Sequence, residues 1–116
     1  MKLLTPEIQS YDCCDHDPID EWVPEDPSMV DYWLNISVGV KGEIGSNNYQ
    51  VHVVTQGVLS QIKSKSHLLI LPYYEGFTQV LREINYKLID CSDVSWEGVF
   101  SRIAKLYAWE YESYRV

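Results

Sequence analysis

The chain has 116 residues, a formal net charge of −8 and 46 % apolar residues, including four Trp and nine Tyr. This length and composition are typical of a globular domain with its own core, so we expect residues 1–116 to form a single domain and exclude intrinsic disorder. The excess of acid argues against direct nucleic-acid binding, and the sequence contains neither a membrane span nor the apolar segment of a signal peptide. Three cysteines cannot all pair, and free thiols are typical of a reducing compartment. We therefore expect a cytoplasmic protein that does not contact a membrane.

The first third of the chain carries the net charge. Nine acids and no base lie in residues 3–40, and the remaining residues sum to +1. The most acidic part, residues 12–28, also contains three prolines, which disfavour regular structure. We call residues 12–28 the acidic loop and predict an extended, exposed segment. We expect Trp22 and Val23 to anchor it and one short helical turn to form at residues 18–22.

Alternating side chains predict a sheet. Residues 31–40 alternate between apolar and polar with a period of two, which is typical of a strand with one buried face. A turn rich in Gly and Asn follows, and residues 49–54 alternate again, so we predict an antiparallel hairpin with a loop of about five to eight residues. The sequence also predicts a short irregular strand over residues 2–11, interrupted by Pro6. The apolar run 67–72 predicts a third strand, buried on both faces.

Helical periodicity appears in the second half of the chain. Residues 77–91 place their apolar side chains on one stripe, which predicts an amphipathic helix that buries its cysteine as a small hydrophobe. Ser95 is placed to cap another helix with an acid in its first turn. We predict a short helix within residues 55–66 and a final strand over residues 109–114, for which a continued helix is the alternative. These elements predict an α+β fold with two layers, in which a mainly antiparallel sheet of about four strands has two to three helices packed on one face.

One cluster, residues 13–17 with the sequence CCDHD, contains the side chains that bind metals. Adjacent ligands do not easily converge on one ion, and no second Cys or His cluster lies at zinc-like spacing. Acid–base catalysis requires burial that an exposed loop lacks, and His52 and His67 fit structural positions in strands better than a nucleophilic site. The sequence also lacks a glycine-rich phosphate loop. We therefore expect neither catalysis nor a cofactor, and a small metal-dependent enzyme using Cys13–Asp17 remains the alternative.

Recognition through a surface is the function that this pattern favours. Charge complementarity speeds association with a basic partner, and buried aromatic side chains usually supply more of the affinity. An acidic adaptor for some other basic protein would show the same pattern and stays open. The predicted contact residues are the acids of this region, with two tryptophans as anchors: Asp15, Asp17, Asp20, Glu21, Trp22, Glu25, Asp26, Asp31 and Trp33.

Several segments together give the chain a resemblance to a known family. These are Val23–Pro27, Val38–Glu43, Tyr49–Thr55, Ser95–Glu97 and Trp109–Tyr114. Their order and spacing resemble the immunity protein 8 family of bacterial polymorphic-toxin systems over nearly the whole chain, from about Asp20 onward. We expect the recurring motif residues to determine the fold, and the resemblance carries over no toxin contact.

The resemblance implies a small cytoplasmic α+β protein without catalytic activity. Such a protein binds and neutralises the C-terminal domain of a cognate toxin, often one delivered by contact-dependent growth inhibition. Many of these toxins are nucleases with basic substrate clefts, which an acidic inhibitor suits. The resemblance therefore implies a toxin inhibitor, which we expect to cover an active site or a substrate cleft, and the oligomeric state stays open.

Overall fold

Five strands form one sheet in the computed structural model, which describes residues 3–109. The strands are β1 (Pro6–Asp12), β2 (Asp31–Val40), β3 (Ser46–Thr55), β4 (Leu68–Leu71) and β5 (Ala108–Trp109). Their order is β1-β2-β3-β4, and β5 pairs with β3. Every pair is antiparallel except β3 with β4, which is parallel. The two helices are α1 (Phe77–Ile89) and α2 (Trp96–Leu106).

The hairpin of β2 and β3 is the centre of the sheet. Its register runs from Asp31 opposite Val54 to Gly39 opposite Ser46. The loop of residues 41–45 turns through glycines with positive φ, as a tight connection requires. The alternation in β2 buries one face and leaves polar residues and a partly exposed Trp33 on the other. The predicted hairpin is therefore confirmed.

Strand β1 lies at one edge of the sheet and differs from the predicted strand at its start. Pro6 does not interrupt the strand but begins it, where a missing backbone donor is tolerated because β1 is an edge strand. Gln9 is the extra residue of a bulge between Ile8 and Ser10. The strand then runs to Asp12, which pairs with Asn35.

Strand β4 lies at the other edge and is only partly buried. The prediction of burial on both faces was wrong, because Ile70 is 43 % exposed and only one side of this short strand packs into the core. The parallel pairing with β3 requires a crossover, which residues 56–67 supply. The short helix predicted there is present as the 3-10 helix Gln56–Gln61.

Both α-helices pack on one face of the sheet, as the two-layer prediction required. Helix α1 buries Phe77, Val80, Ile84 and Leu88 in the main core, and α2 adds two further residues to the same cluster. Ser95 caps α2 by accepting a hydrogen bond from the backbone N–H of Gly98 at 3.1 Å. Cys91 is buried next to α1, as predicted.

One side of the sheet bears directly on function. The helices pack on one side of the sheet, and we call the opposite side the open face. It consists of the outward side chains of β2 and β3 together with those of the flanking strands. On this side Trp33 and Gln50 are exposed, whereas His52 and Val54 of β3 are buried. Most of the predicted final strand, residues 110–114, lies outside the described residues.

Candidate interaction surface

The acidic loop begins where β1 ends and returns to the sheet at the start of β2. All seven of its acids are exposed. Two apolar side chains nevertheless hold it to the core, since Cys13 and Ile19 are each only 2 % exposed. The Cys13 thiol donates a hydrogen bond to the backbone carbonyl of Trp33 at 3.3 Å, and Ile19 begins the 3-10 helix Ile19–Glu21. The predicted helical turn is therefore present, and two buried side chains attach the loop to the core.

Of the two predicted anchors, Trp22 was correct and Val23 was wrong. Trp22 packs against the core with its ring edge-on to Tyr32 and Tyr74, at centroid distances of 5.7 and 5.5 Å. Val23 is 81 % exposed. The reason is local geometry: the chain is extended after the 3-10 helix, so successive side chains point to opposite sides.

An aromatic cluster forms around Trp22. The His16 ring stacks on Trp22 with a centroid distance of 3.8 Å and an interplanar angle of 14°. The hydroxyls of Tyr32 and Tyr74 lie 3.2 Å apart in the same cluster. Burial raises the pKa of both tyrosines, so they stay neutral at physiological pH. The cluster joins the acidic loop to β2 and to the segment before α1.

A shallow cleft of about 360 Å³ opens beside this cluster. Four of the predicted contact residues line it, namely Trp22, Glu25, Asp26 and Asp31. The Ser28 hydroxyl donates to Asp26 at 2.7 Å, and this bond together with the Ser28 backbone N–H lowers the pKa of Asp26 and keeps it ionised. The structure therefore brings together an aromatic wall and three carboxylates.

The other predicted residues are divided between the loop and the open face. Asp15, Asp17, Asp20 and Glu21 are exposed on the loop and do not line that cleft. Trp33 lies on the open face, where it is 40 % exposed and stacks on His52 with a centroid distance of 4.4 Å. His52 Nε2 in turn lies 2.5 Å from Asp31 Oδ1.

Residues 6–114 match the family model described as Imm8, immunity protein 8. The chain belongs to the immunity protein 8 family. Searches of curated proteins and of solved structures found no match. Membership makes this chain an immunity protein of a toxin system, which is the function that the resemblance implied.

The immunity protein's cysteines and acids were also the basis of the metal-enzyme alternative. Within residues 3–109, no three His, Cys, Asp or Glu side chains are grouped so that they could hold a metal ion. Cys13 points into the core and Cys14 is exposed, so the two do not face a common point. Burial raises the pKa of the Cys13 thiol, which disfavours the thiolate that metals and electrophiles require.

No helix among the described residues is long and apolar enough to cross a membrane.

The structure also shows features that sequence reasoning missed. His52 is structural, as predicted, since it is buried and contacts Asp31. Its stacking on Trp33 was missed, because only the β2–β3 register could have revealed that pairing. On the helix side, Trp96 and Phe100 stack on each other beside a cleft of about 480 Å³. Their spacing of four residues placed them on the apolar stripe of α2, but they are only partly buried.

Proposed function

We propose that this immunity protein acts in the cytoplasm by binding the C-terminal domain of its cognate toxin, a basic nuclease delivered by contact-dependent growth inhibition. In this proposal it covers the active site or substrate cleft and performs no catalysis itself. The observation that supports it best is the fixed acidic loop. Seven exposed carboxylates are held between the end of β1 and the start of β2, and among residues 3–109 none of them is paired with a Lys or Arg.

Such a surface suits a substrate cleft that normally binds nucleic acid. A nuclease must attract phosphates, so its cleft is lined with Lys and Arg. Fixed carboxylates attract the same side chains over a Debye length of about 8 Å at physiological salt. Unpaired charges of one sign raise the association rate and discriminate against acidic proteins.

The proposal is tested first by co-expression with the C-terminal domain of whatever protein the adjacent upstream gene encodes. We expect cells that produce this domain to stop growing and the immunity protein to restore growth and to co-purify with the domain. Purified toxin domain should degrade DNA or RNA, and one equivalent of the immunity protein should stop the degradation. If the immunity protein restores growth but the purified toxin domain degrades neither DNA nor RNA, the immunity role stands and the toxin is not a nuclease.

A charge reversal tests the role of the acidic loop. Changing both Asp17 and Asp20 to Lys should slow association with the toxin domain about tenfold at low salt and flatten its salt dependence, because the variant loses steering charge. The matched control changes Glu43 and Asp90 to Lys. Both are exposed acids outside the loop, so the net charge shifts equally. Rates are measured by biolayer interferometry between 25 and about 300 mM salt, a range that spans strong and weak screening. Equal rates for the two double variants would show that net charge, rather than the loop, steers the toxin.

A further inference from the structure

The open face of the sheet carries a large aromatic side chain where polar residues are usual. An antiparallel sheet with one face in water normally places polar side chains on that face. Trp33 lies here instead, near the start of β2 and opposite His52 on β3, and it is 40 % exposed. Trp is among the residues that most often dominate binding energy at protein interfaces. Its position therefore indicates a binding role.

The surroundings of Trp33 hold its ring in place without a partner. The ring lies nearly parallel to the imidazole of His52, with an interplanar angle of 14°. His52 is itself fixed through its contact with Asp31. A side chain that is already ordered loses little rotamer entropy on binding, so more of its contact energy appears as affinity.

A polar groove continues from Trp33 along the open face. It has a volume of about 340 Å³ and lies over β1, β2 and β3. The Gln50 amide donates to Asn35 at 3.1 Å, and the Asn35 amide donates to Asp12 at 3.4 Å. An aromatic anchor beside ordered polar groups is the usual arrangement of a specific interface, with an apolar centre and a polar rim.

The distribution of charge indicates which partner fits. Strands β1 to β4 contain acids but not one Lys or Arg. By contrast, α1 and α2 on the opposite side of the molecule carry four bases and two acids, namely Arg82, Lys87, Arg102 and Lys105 with Glu83 and Glu97. A basic surface is therefore attracted to the open face and not to the helix face.

The open face and the acidic loop form one continuous surface. Asp31 lines the cleft beside Trp22 and also contacts His52 on the open face. The Cys13 thiol bonds the loop to the backbone of Trp33. A partner drawn in by the loop carboxylates thus meets Trp33 directly.

We propose that the basic toxin domain docks on the open face, with Trp33 as the anchor and the acidic loop at the rim. This rests on the proposed function, and it adds which face of the sheet is covered. The loop governs association, whereas Trp33 and the polar groove govern dissociation.

Two pairs of variants test the docking face by their affinity for the toxin domain. The toxin domain is separated from its complex under denaturant and then refolded. Gln50→Arg adds a bulky cation to the open face, and Thr78→Arg adds the same side chain at an exposed site on α1. Trp33→Ala removes the anchor, and Tyr86→Ala removes a ring that is 71 % exposed on α1. We expect Trp33→Ala to raise Kd at least about 30-fold, mainly through faster dissociation, as for other interface hot spots. Gln50→Arg should raise Kd at least about tenfold, and both helix variants should stay within about twofold of the wild type.

The outcomes separate this inference from the function on which it rests. If the wild-type chain neither binds nor protects against the toxin, both are wrong. If the wild type binds and protects but Gln50→Arg binds as tightly as Thr78→Arg, the immunity role stands and the open face is not the docking site. Circular dichroism and thermal unfolding of each variant show whether it is folded. Should Trp33→Ala unfold, the Arg pair decides the matter, because both substitutions are at exposed positions.

Discussion

Replacing Thr55 with Val tests how the acidic loop is held to the sheet. Thr55 is fully buried at the end of β3. Its hydroxyl accepts a hydrogen bond from the backbone N–H of Val30 at 2.9 Å and donates one to the carbonyl of Ser28 at 2.7 Å. Val keeps the shape of the side chain but removes both bonds.

The cost follows from the two groups that lose their partner. A buried N–H or C=O without a hydrogen bond costs about 1–3 kcal/mol, so two such groups predict a loss of about 2–4 kcal/mol, given that water can reach the half-buried Ser28. The entropy of unfolding is about 2.1 cal/mol/K per residue, or about 0.24 kcal/mol/K for this chain. The melting temperature should therefore fall by about 8–16 °C.

The assay is thermal and urea unfolding followed by Trp fluorescence and by near-UV circular dichroism. Thr78→Val is the matched control, because Thr78 is exposed on α1 and the same atoms are exchanged there. We expect the control to stay within about 2 °C of the wild type, as surface substitutions usually do. A Thr55→Val variant that melts together with the control would refute the role of this hydroxyl in fixing the loop.

Two further predictions concern ionisation and thiol reactivity. Burial raises the pKa of four tyrosines: Tyr32, Tyr49, Tyr74 and Tyr107. The pKa of Tyr49 rises to about 12, whereas a tyrosine in the unfolded chain ionises at about pH 10. The contribution of the neutral tyrosines to stability is therefore complete below about pH 10 and is lost as the pH rises above it. Urea midpoints that stay constant from pH 9 to about 11 would contradict this expectation. Cys14 is exposed whereas Cys13 and Cys91 are buried. One thiol per chain should therefore react rapidly with a thiol reagent under native conditions, and all three should react in denaturant. Mass spectrometry identifies the labelled residue, and rapid labelling of Cys13 would contradict its burial.

Local sequence patterns predicted the elements whose causes are local. The period of two in residues 31–40 requires only that β2 has one buried face, and the Ser95 cap requires only the first turn of α2. Elements that depend on distant neighbours were predicted less well. The exposure of Ile70 follows from the place of β4 at an edge, and strand order is not encoded within the strand itself.

The same distinction applies to the candidate site. Acidity and the aromatic residues can be read directly from the sequence, so the nine predicted contact residues could be named. Their arrangement could not be, because the partners of Trp22 and Trp33 come from elsewhere in the chain. Tyr74 lies 52 positions beyond Trp22, and His52 faces Trp33 only because of the hairpin register.

The spacing of the buried anchors explains how so acidic a segment keeps one shape. Carboxylates within a Debye length repel each other, so a loop held only at its ends would expand. Here the chain is pinned at Cys13, Ile19, Trp22 and Val30, and no stretch between two pins exceeds seven residues. Each short span has little conformational freedom, so the repulsion cannot spread the carboxylates apart. The loop therefore loses its conformational entropy during folding and not during binding. Its carboxylates are already in position when a basic surface approaches.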